Sequence, residues 1–447
     1  MQLKTVDSVH NTFHHAINWN ALLFIVMNIS YTIISTTFFY RLSSDQYNMW
    51  ANINSFIYII LLWCDCGFRK SIPLYLPRIE ANKQNLKNFT RIVLTIQLIA
   101  CSLGLSALSI ILYQLTQSLI FVGYGLCIFL LEAPLVILQS LYHGKFLNKS
   151  YNGIMMSLIM AELSGMSLLF FIIPSSTILH VYFICKIIFL ISSNGITGFK
   201  LIKYFRSNNT TTSSSADQTI KKFLHHSATM WWTTNLRSLS ERNIMVPFLT
   251  FTVGPNLANI YKIGNDWALF IQRAIIKSIG TTDISLIAHI NHFCNFHDIN
   301  KIFQKIMIKI IKMTIPSILI VGLSIIYQSW TGYSLNFIVF LLLIISYLIE
   351  ILLSPYQRIL EAQQHYKFLF FTHCTYLLIP LSYLLLSYKP WNLINLLLIF
   401  MIVRVFNSLL SCLYASWLYT LSIPRLSLSL IPRHFFPPRP KRQNLHQ

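Results

Sequence analysis

Acidic residues are scarce: the chain holds 13 Asp and Glu in 447 residues, and all charged types together make up only 11%. With 55% hydrophobic residues beside so little charge, almost no sequence is left for a separate soluble domain. No G-x-x-x-x-G-K-S/T phosphate loop occurs, which excludes a built-in ATP motor of that type. No glycine run resembles a channel selectivity filter. The eight cysteines, Cys64, Cys66, Cys101, Cys127, Cys185, Cys294, Cys374 and Cys412, fall almost all in apolar runs. They read as small buried apolar residues and not as a disulfide framework. His289, His292, Cys294 and His297 match no zinc spacing, so this stretch reads as a wet loop and no metal site is expected. The first apolar segment lacks a small-residue cleavage pattern, so it is expected to remain as a helix.

Long uncharged apolar stretches are abundant: Ala16 to Tyr40, Ile92 to Leu131, Met313 to Ile349 and Phe368 to Tyr388 contain no Asp, Glu, Lys or Arg. A crossing needs about 20 helical residues, so the two longest stretches each hold a helical hairpin. Twelve spans follow: 16–40, 48–68, 91–115, 119–142, 151–173, 178–202, 223–253, 256–280, 313–330, 333–352, 367–387 and 391–420. The expected fold is an all-α integral membrane protein.

Of the 34 Lys and Arg residues, 27 collect at alternate ends of these spans, whereas the opposite connections hold only Arg41 and Lys389. The positive-inside rule then puts both termini and the larger loops in the cytoplasm of a multi-pass inner (plasma) membrane protein. The net charge of +21 could also signal nucleic-acid binding, but these cations flank apolar spans and form no single face. No nucleic-acid partner is expected, while membrane lipids are.

Ser207 to Gln218 (SNNTTTSSSADQ) is polar and of low complexity, and it divides the chain into six spans before and six after. The expected organisation is an N-terminal lobe at 1–206, a linker at 207–222, a C-terminal lobe at 223–424 and a basic, Pro-rich tail at 425–447. A six-plus-six division is the common signature of a transporter made of two repeated lobes. Its best local echo is Asn48-Met49-Trp50 against Asn259-Ile260-Tyr261, each at the start of the second helix of its half.

Tyr40 to Ala51 (YRLSSDQYNMWA) and Leu62 to Ser71 (LWCDCGFRKS) resemble the first hairpin turn and second helix of polysaccharide flippases. In the second half, Asn235-Leu236-Arg237, Glu241 to Met245 (ERNIM) and Thr252 to Tyr261 (TVGPNLANIY) are similar to that family's seventh helix and the turn into its eighth. Asn48 stands where the family often has Gly, and Pro255 to Asn259 lengthen the turn. These flippases, the O-antigen branch among them, belong to the multidrug/oligosaccharidyl-lipid/polysaccharide exporter superfamily. The resemblance implies two six-helix lobes around a central cavity. It also implies translocation of lipid-linked oligosaccharide for cell-surface polysaccharide, with polysaccharide assembly proteins as partners and no cofactor.

A phosphate-linked sugar must cross about 30 Å of hydrocarbon, and a cleft lined with cations would remove that obstacle. Lys186, Arg237, Arg242, Lys262 and Arg404 are the cations inside the spans, and ionisable groups there normally face a cavity or a partner. Arg242 and Arg404 suit phosphate best because a guanidinium offers a bidentate fork. Each has a structural alternative: Arg237 and Glu241 are spaced for an intrahelical pair, Lys262 can snorkel, and Arg242 can pair with Glu132 or Glu162. Glu132, Glu162 and Glu241 are the candidate charge partners or sites of proton or sodium coupling, whereas Glu350 reads as a cytoplasmic helix end. A multidrug exporter of the same superfamily is the nearest alternative function. A membrane enzyme of lipid-linked sugar assembly is more distant, since every external loop is too short for a catalytic platform.

Overall fold

Every described element is an α-helix, as expected for a chain whose backbone polar groups must be satisfied without water. The computed structural model describes residues 6–79, 83–144, 147–174, 177–207, 216–272, 307, 308, 310, 312, 334–362, 365–386 and 392–419. The first half comprises α1 (Val6–Arg41), α2 (Ser44–Cys64), α3 (Phe68–Ile79), α4 (Lys83–Thr116), α5 (Leu119–Gly144), α6 (Asn148–Ile172) and α7 (Ile178–Ser207). The second comprises α8 (Ala216–Ser238), α9 (Arg242–Thr252), α10 (Pro255–Gln272), α11 (Ser334–Ala362), α12 (Tyr366–Leu386) and α13 (Leu393–Tyr419).

Among the described residues, α1, α4, α5, α7, α11 and α13 are long and apolar enough to cross a membrane, and α2 with α3 forms a further, bent candidate. The other expected spans coincide with α6, with α8 and α9 together, with α10 and with α12. The span expected at 313–330, the His289–His297 stretch and the tail at 425–447 lie outside the described residues. Of the stretch expected to be linker, 216–222 is helical, being the start of α8, and 208–215 lies outside the described residues.

Local chemistry explains the turns. Ser43 closes α1 and opens α2 with a capping box: its hydroxyl accepts from the Gln46 amide at 3.3 Å, and the Gln46 side chain accepts from the Ser43 amide. The tight α4–α5 hairpin passes through Gln117 at φ +50. Between α2 and α3, Cys66 and Gly67 both take positive φ, and the chain bends by 43°. The residues after that bend, expected to be loop, form α3. Phe68, Ile72, Leu76 and Ile79 recur at helical spacing and are buried against Phe89 and Val93 of α4 and Phe223 of α8.

Each half packs mainly on itself: α1 on α6, α5 on α7 and α2 on α4 in the first, α11 on α13 and α10, and α12 on α8 and α13, in the second. The halves meet where α1 and α2 touch α9 and α10, and where α3 and the end of α2 touch α8.

Candidate functional site

The expected span 223–253 is not continuous. It breaks at Leu239–Glu241 into α8 and α9; Ser238, at the end of α8, bonds back to the Asn235 carbonyl at 2.7 Å, and Ser240, within the break, to the Arg237 carbonyl at 3.2 Å. A broken helix within a span frees backbone groups that need partners. Arg404, from the middle of α13, supplies one by donating to the Ser240 carbonyl at 2.6 Å. The same guanidinium lies 3.6 Å from Glu350, reaches the Ser346 hydroxyl at 3.4 Å, and sits over the Tyr347 ring at 4.4 Å. Ser240, Ser346 and Arg404 also line a narrow pocket with Tyr261 and Phe400.

Glu350 is the centre of this network and not a helix end. Its other oxygen accepts from Arg237 at 2.7 Å, so one buried carboxylate serves two arginines. About three turns further along α11, Glu361 gathers Arg358 at 2.8 Å, Lys70 of α3 at 3.5 Å and Arg237 at 3.9 Å. Gln357 joins Glu361 to His373, whose Nδ1 lies 3.0 Å from the Thr233 carbonyl. The intrahelical pair between Arg237 and Glu241 does not form, since the break separates them. Glu241 instead accepts from the Tyr58 hydroxyl of α2 at 2.8 Å, across the boundary between the halves.

Lys262 does not snorkel. It is 2% exposed, bonded to Asp266 at 3.0 Å, to the Ser35 hydroxyl at 2.9 Å and to the Tyr47 hydroxyl at 3.2 Å. Three rings surround its ammonium, with centroids at 4.1 Å for Trp50, 4.9 Å for Tyr47 and 5.4 Å for Tyr31. Ser35 completes the set by donating to Asp266 at 2.6 Å. The cation and its counter-ion therefore come from α10, while the rings come from α1 and α2.

Beside this cage runs a belt of amides and hydroxyls. Asn48 donates to Thr250 at 3.2 Å and to Asn259 at 3.3 Å, Asn52 donates to Asn48 at 2.8 Å, and Asn259 donates to the Ser44 carbonyl at 3.1 Å. At the end bearing the basic connections the halves also touch. The Trp231 indole donates to the Trp63 carbonyl at 2.7 Å, and Gly67 lies so close to α8 that a Cβ there would run into the Ser227 carbonyl oxygen. Among the described residues the halves are thus in contact at both ends.

The first half holds a separate charge group. Lys186 of α7 lies 3.8 Å from Glu132 of α5, with side chains 24% and 29% exposed, and Glu162 of α6 is within electrostatic reach of the same ammonium. Lys186 and Glu132 are thus less enclosed than Arg404, Glu350, Lys262 and Asp266. Glu132 is engaged by Lys186, and the side chain of Arg242 lies outside the described residues.

The five cations picked from sequence are therefore not one cluster. Arg237 and Arg404 meet at Glu350, Lys262 sits in the interface, and Lys186 lies apart with Glu132. Sequence reasoning missed Asp266 and Glu361. The four-residue spacing from Lys262 to Asp266 was the available signal for the first. For Glu361, which falls beyond the expected 333–352 span, the three-residue spacing from Arg358 was the signal.

The architecture matches solved transporters of the MATE family. Similar structures include an outward-facing multidrug resistance MATE family transporter of the MOP superfamily, with TM-score 0.64, 9% identity, and coverage of 91% of this chain and 95% of that one. A MATE in complex with MaD5 gives TM-score 0.64 at 10% identity over 94% and 99% of the two chains. The Vibrio cholerae MATE transporter VcmN in its bent form gives 0.60 at 13% identity over 92% and 98%. No protein-family model and no curated relative matches the sequence. The chain is an all-α membrane protein whose fold is similar to that of these MATE transporters. The polysaccharide branch, which the sequence resembles, has no specific support among these structures.

Proposed function

We propose that this chain is a secondary transporter working by alternating access, its halves 1–206 and 223–424 parting at one membrane face while closed at the other. The observation carrying this reading is the broken α8–α9 segment. In a MATE-type fold it sits beside buried, fully engaged charges, with polar contacts between the halves at both ends. The basic end is the cytoplasmic one, as the loop charges favour, and the membrane is the plasma membrane.

For cargo we favour organic cations exported against a proton or sodium gradient. The similar structures belong to multidrug-type transporters, and Arg237, Arg404, Lys262 and Lys186 are each held by a carboxylate, which leaves little free positive charge for phosphate. Glu132 and Glu162, partly exposed beside a single lysine, are the groups we assign to the coupling cation. One observation favours the second reading, movement of an anionic lipid-linked oligosaccharide: four cations, Lys70, Arg237, Arg358 and Arg404, share Glu350 and Glu361.

Reconstitution separates the two. In proteoliposomes an exporter accumulates ethidium when a proton or sodium gradient is imposed and does not move a fluorescent polyprenyl-pyrophosphate sugar. Glycolipid movement without ethidium accumulation would establish the second reading, and movement of neither would remove both.

A further inference from the structure

The cage around Lys262 is built for a cation, yet the cation and the cage belong to different halves. Tyr31, Tyr47 and Trp50 are contributed by α1 and α2, whose only Lys or Arg is Arg41 at the far end of α1. Lys262 enters from α10 together with Asp266. When α10 draws away, Lys262 keeps a counter-ion on its own helix and is not left as an unpaired buried charge. The rings keep no cation. What remains on α1 and α2 is a set of aromatic faces with the Tyr47 and Ser35 hydroxyls at their edge, now facing the cleft.

We propose that the Tyr31, Tyr47 and Trp50 cage is a binding site for an alkylated, weakly hydrated ammonium, with Lys262 as its resident occupant whenever the halves are closed. The claim rests on the transporter reading above, which supplies the parting of the halves. Ring faces attract a cation through their quadrupole, and the attraction grows as water is excluded. A quaternary ammonium loses less hydration than a primary one on entering such a cage, so it competes with Lys262 despite lacking hydrogen bonds to Ser35 and Tyr47. Closure then returns Lys262 to the rings and expels the ligand. One site thus serves for recognition and for release.

The test is equilibrium binding of radiolabelled tetraethylammonium to the full chain in detergent. Removing the occupant and its counter-ion together, in Lys262→Ala/Asp266→Asn, avoids an unpaired buried carboxylate and should tighten binding at least tenfold over the unaltered chain. Adding Trp50→Leu should abolish that gain. In the otherwise unaltered chain, Trp50→Leu should weaken binding roughly tenfold and Trp50→Phe much less, which keeps the test valid if the charge-deleted variant does not fold. Binding that ignores Trp50, or that fails to tighten when Lys262 and Asp266 are removed from a folded protein, overturns the proposal. The readout needs no transport. Cage-dependent binding without ethidium transport counts against the exporter reading alone, and ethidium transport with cage-independent binding counts against the cage alone.

Discussion

Asn48 of α2 and Asn259 of α10 hydrogen-bond to each other at 3.3 Å across the boundary between the two halves. They are also the first residues of the three-residue echo between those halves. In the alternating-access reading proposed above, a contact between these positions spans the boundary and breaks when the halves part there. The two aromatic members of the echo part company. Trp50 caps Lys262, while Tyr261 lines the pocket beside Arg404.

Substitution at this contact should act on the equilibrium between states. Asn48→Ala removes the donor to Asn259 and Thr250 and leaves buried polar atoms without it, a cost of about 1–3 kcal/mol to the closed interface. Cysteines placed at Ser44 or Asn256 should then react faster with a water-soluble maleimide. Unchanged reactivity would mean that the belt does not hold the halves together.

Glu350→Ala should be the most destabilising change among the charged residues, because two guanidiniums lose one carboxylate. A loss of about 3–5 kcal/mol is expected for an uncompensated buried charge. Arg404→Ala should cost less, since Glu350 keeps Arg237, but it orphans the Ser240 carbonyl at the helix break. Thermal melts of the purified variants rank them. Equal or reversed losses would remove Glu350 from the centre of the network.

Gly67→Ala puts a Cβ against the Ser227 carbonyl at a residue held at φ +77, and the left-handed backbone alone costs about 1–2 kcal/mol. The α2–α3 bend should be pushed off α8, separating Trp63 from Trp231. A lower melting temperature with a changed tryptophan emission is the expected result, and a variant indistinguishable from the parent would contradict the close approach.

Glu132→Gln should abolish gradient-driven ethidium accumulation while leaving membrane abundance near normal, because this carboxylate is partly exposed and Lys186 keeps Glu162 as a counter-charge. Gradient-dependent accumulation that persists in the variant would move coupling elsewhere.

The orientation is testable apart from function. A cysteine introduced at Ser213, in the polar stretch between the halves, should resist an impermeant reagent in intact cells and react after permeabilisation. Labelling of intact cells would invert the topology.

Much of the fold was legible because apolar runs and loop charges are one-dimensional signals. The α4–α5 hairpin appears within a residue or two of its expected turn, since Ile92 to Leu131 is uncharged and too long for one crossing. The α8–α9 break was visible in principle, since Asn235 to Asn243 (NLRSLSERN) is polar and holds Arg237, Glu241 and Arg242, but those charges read as cavity-facing groups of one continuous span. The group that satisfies its freed carbonyl, Arg404, is distant in sequence. The site was legible only as a set of expensive residues. Which carboxylate meets which cation depends on helix neighbours that span hydropathy does not encode, so Lys262 read as a phosphate contact when it is a caged, paired ammonium. The amphipathic α3 was visible in principle as Phe68, Ile72, Leu76 and Ile79, but the basic residues around it read more strongly as a loop.

The central claim is that the halves must part between α2 and the α9–α10 turn for cargo to cross. With the eight native cysteines replaced, Ser44→Cys and Asn256→Cys, whose parent side chains hydrogen-bond, can be cross-linked in proteoliposomes and ethidium transport followed. The account predicts that cross-linking stops transport and that reduction restores it. Full transport through the cross-linked protein would contradict it.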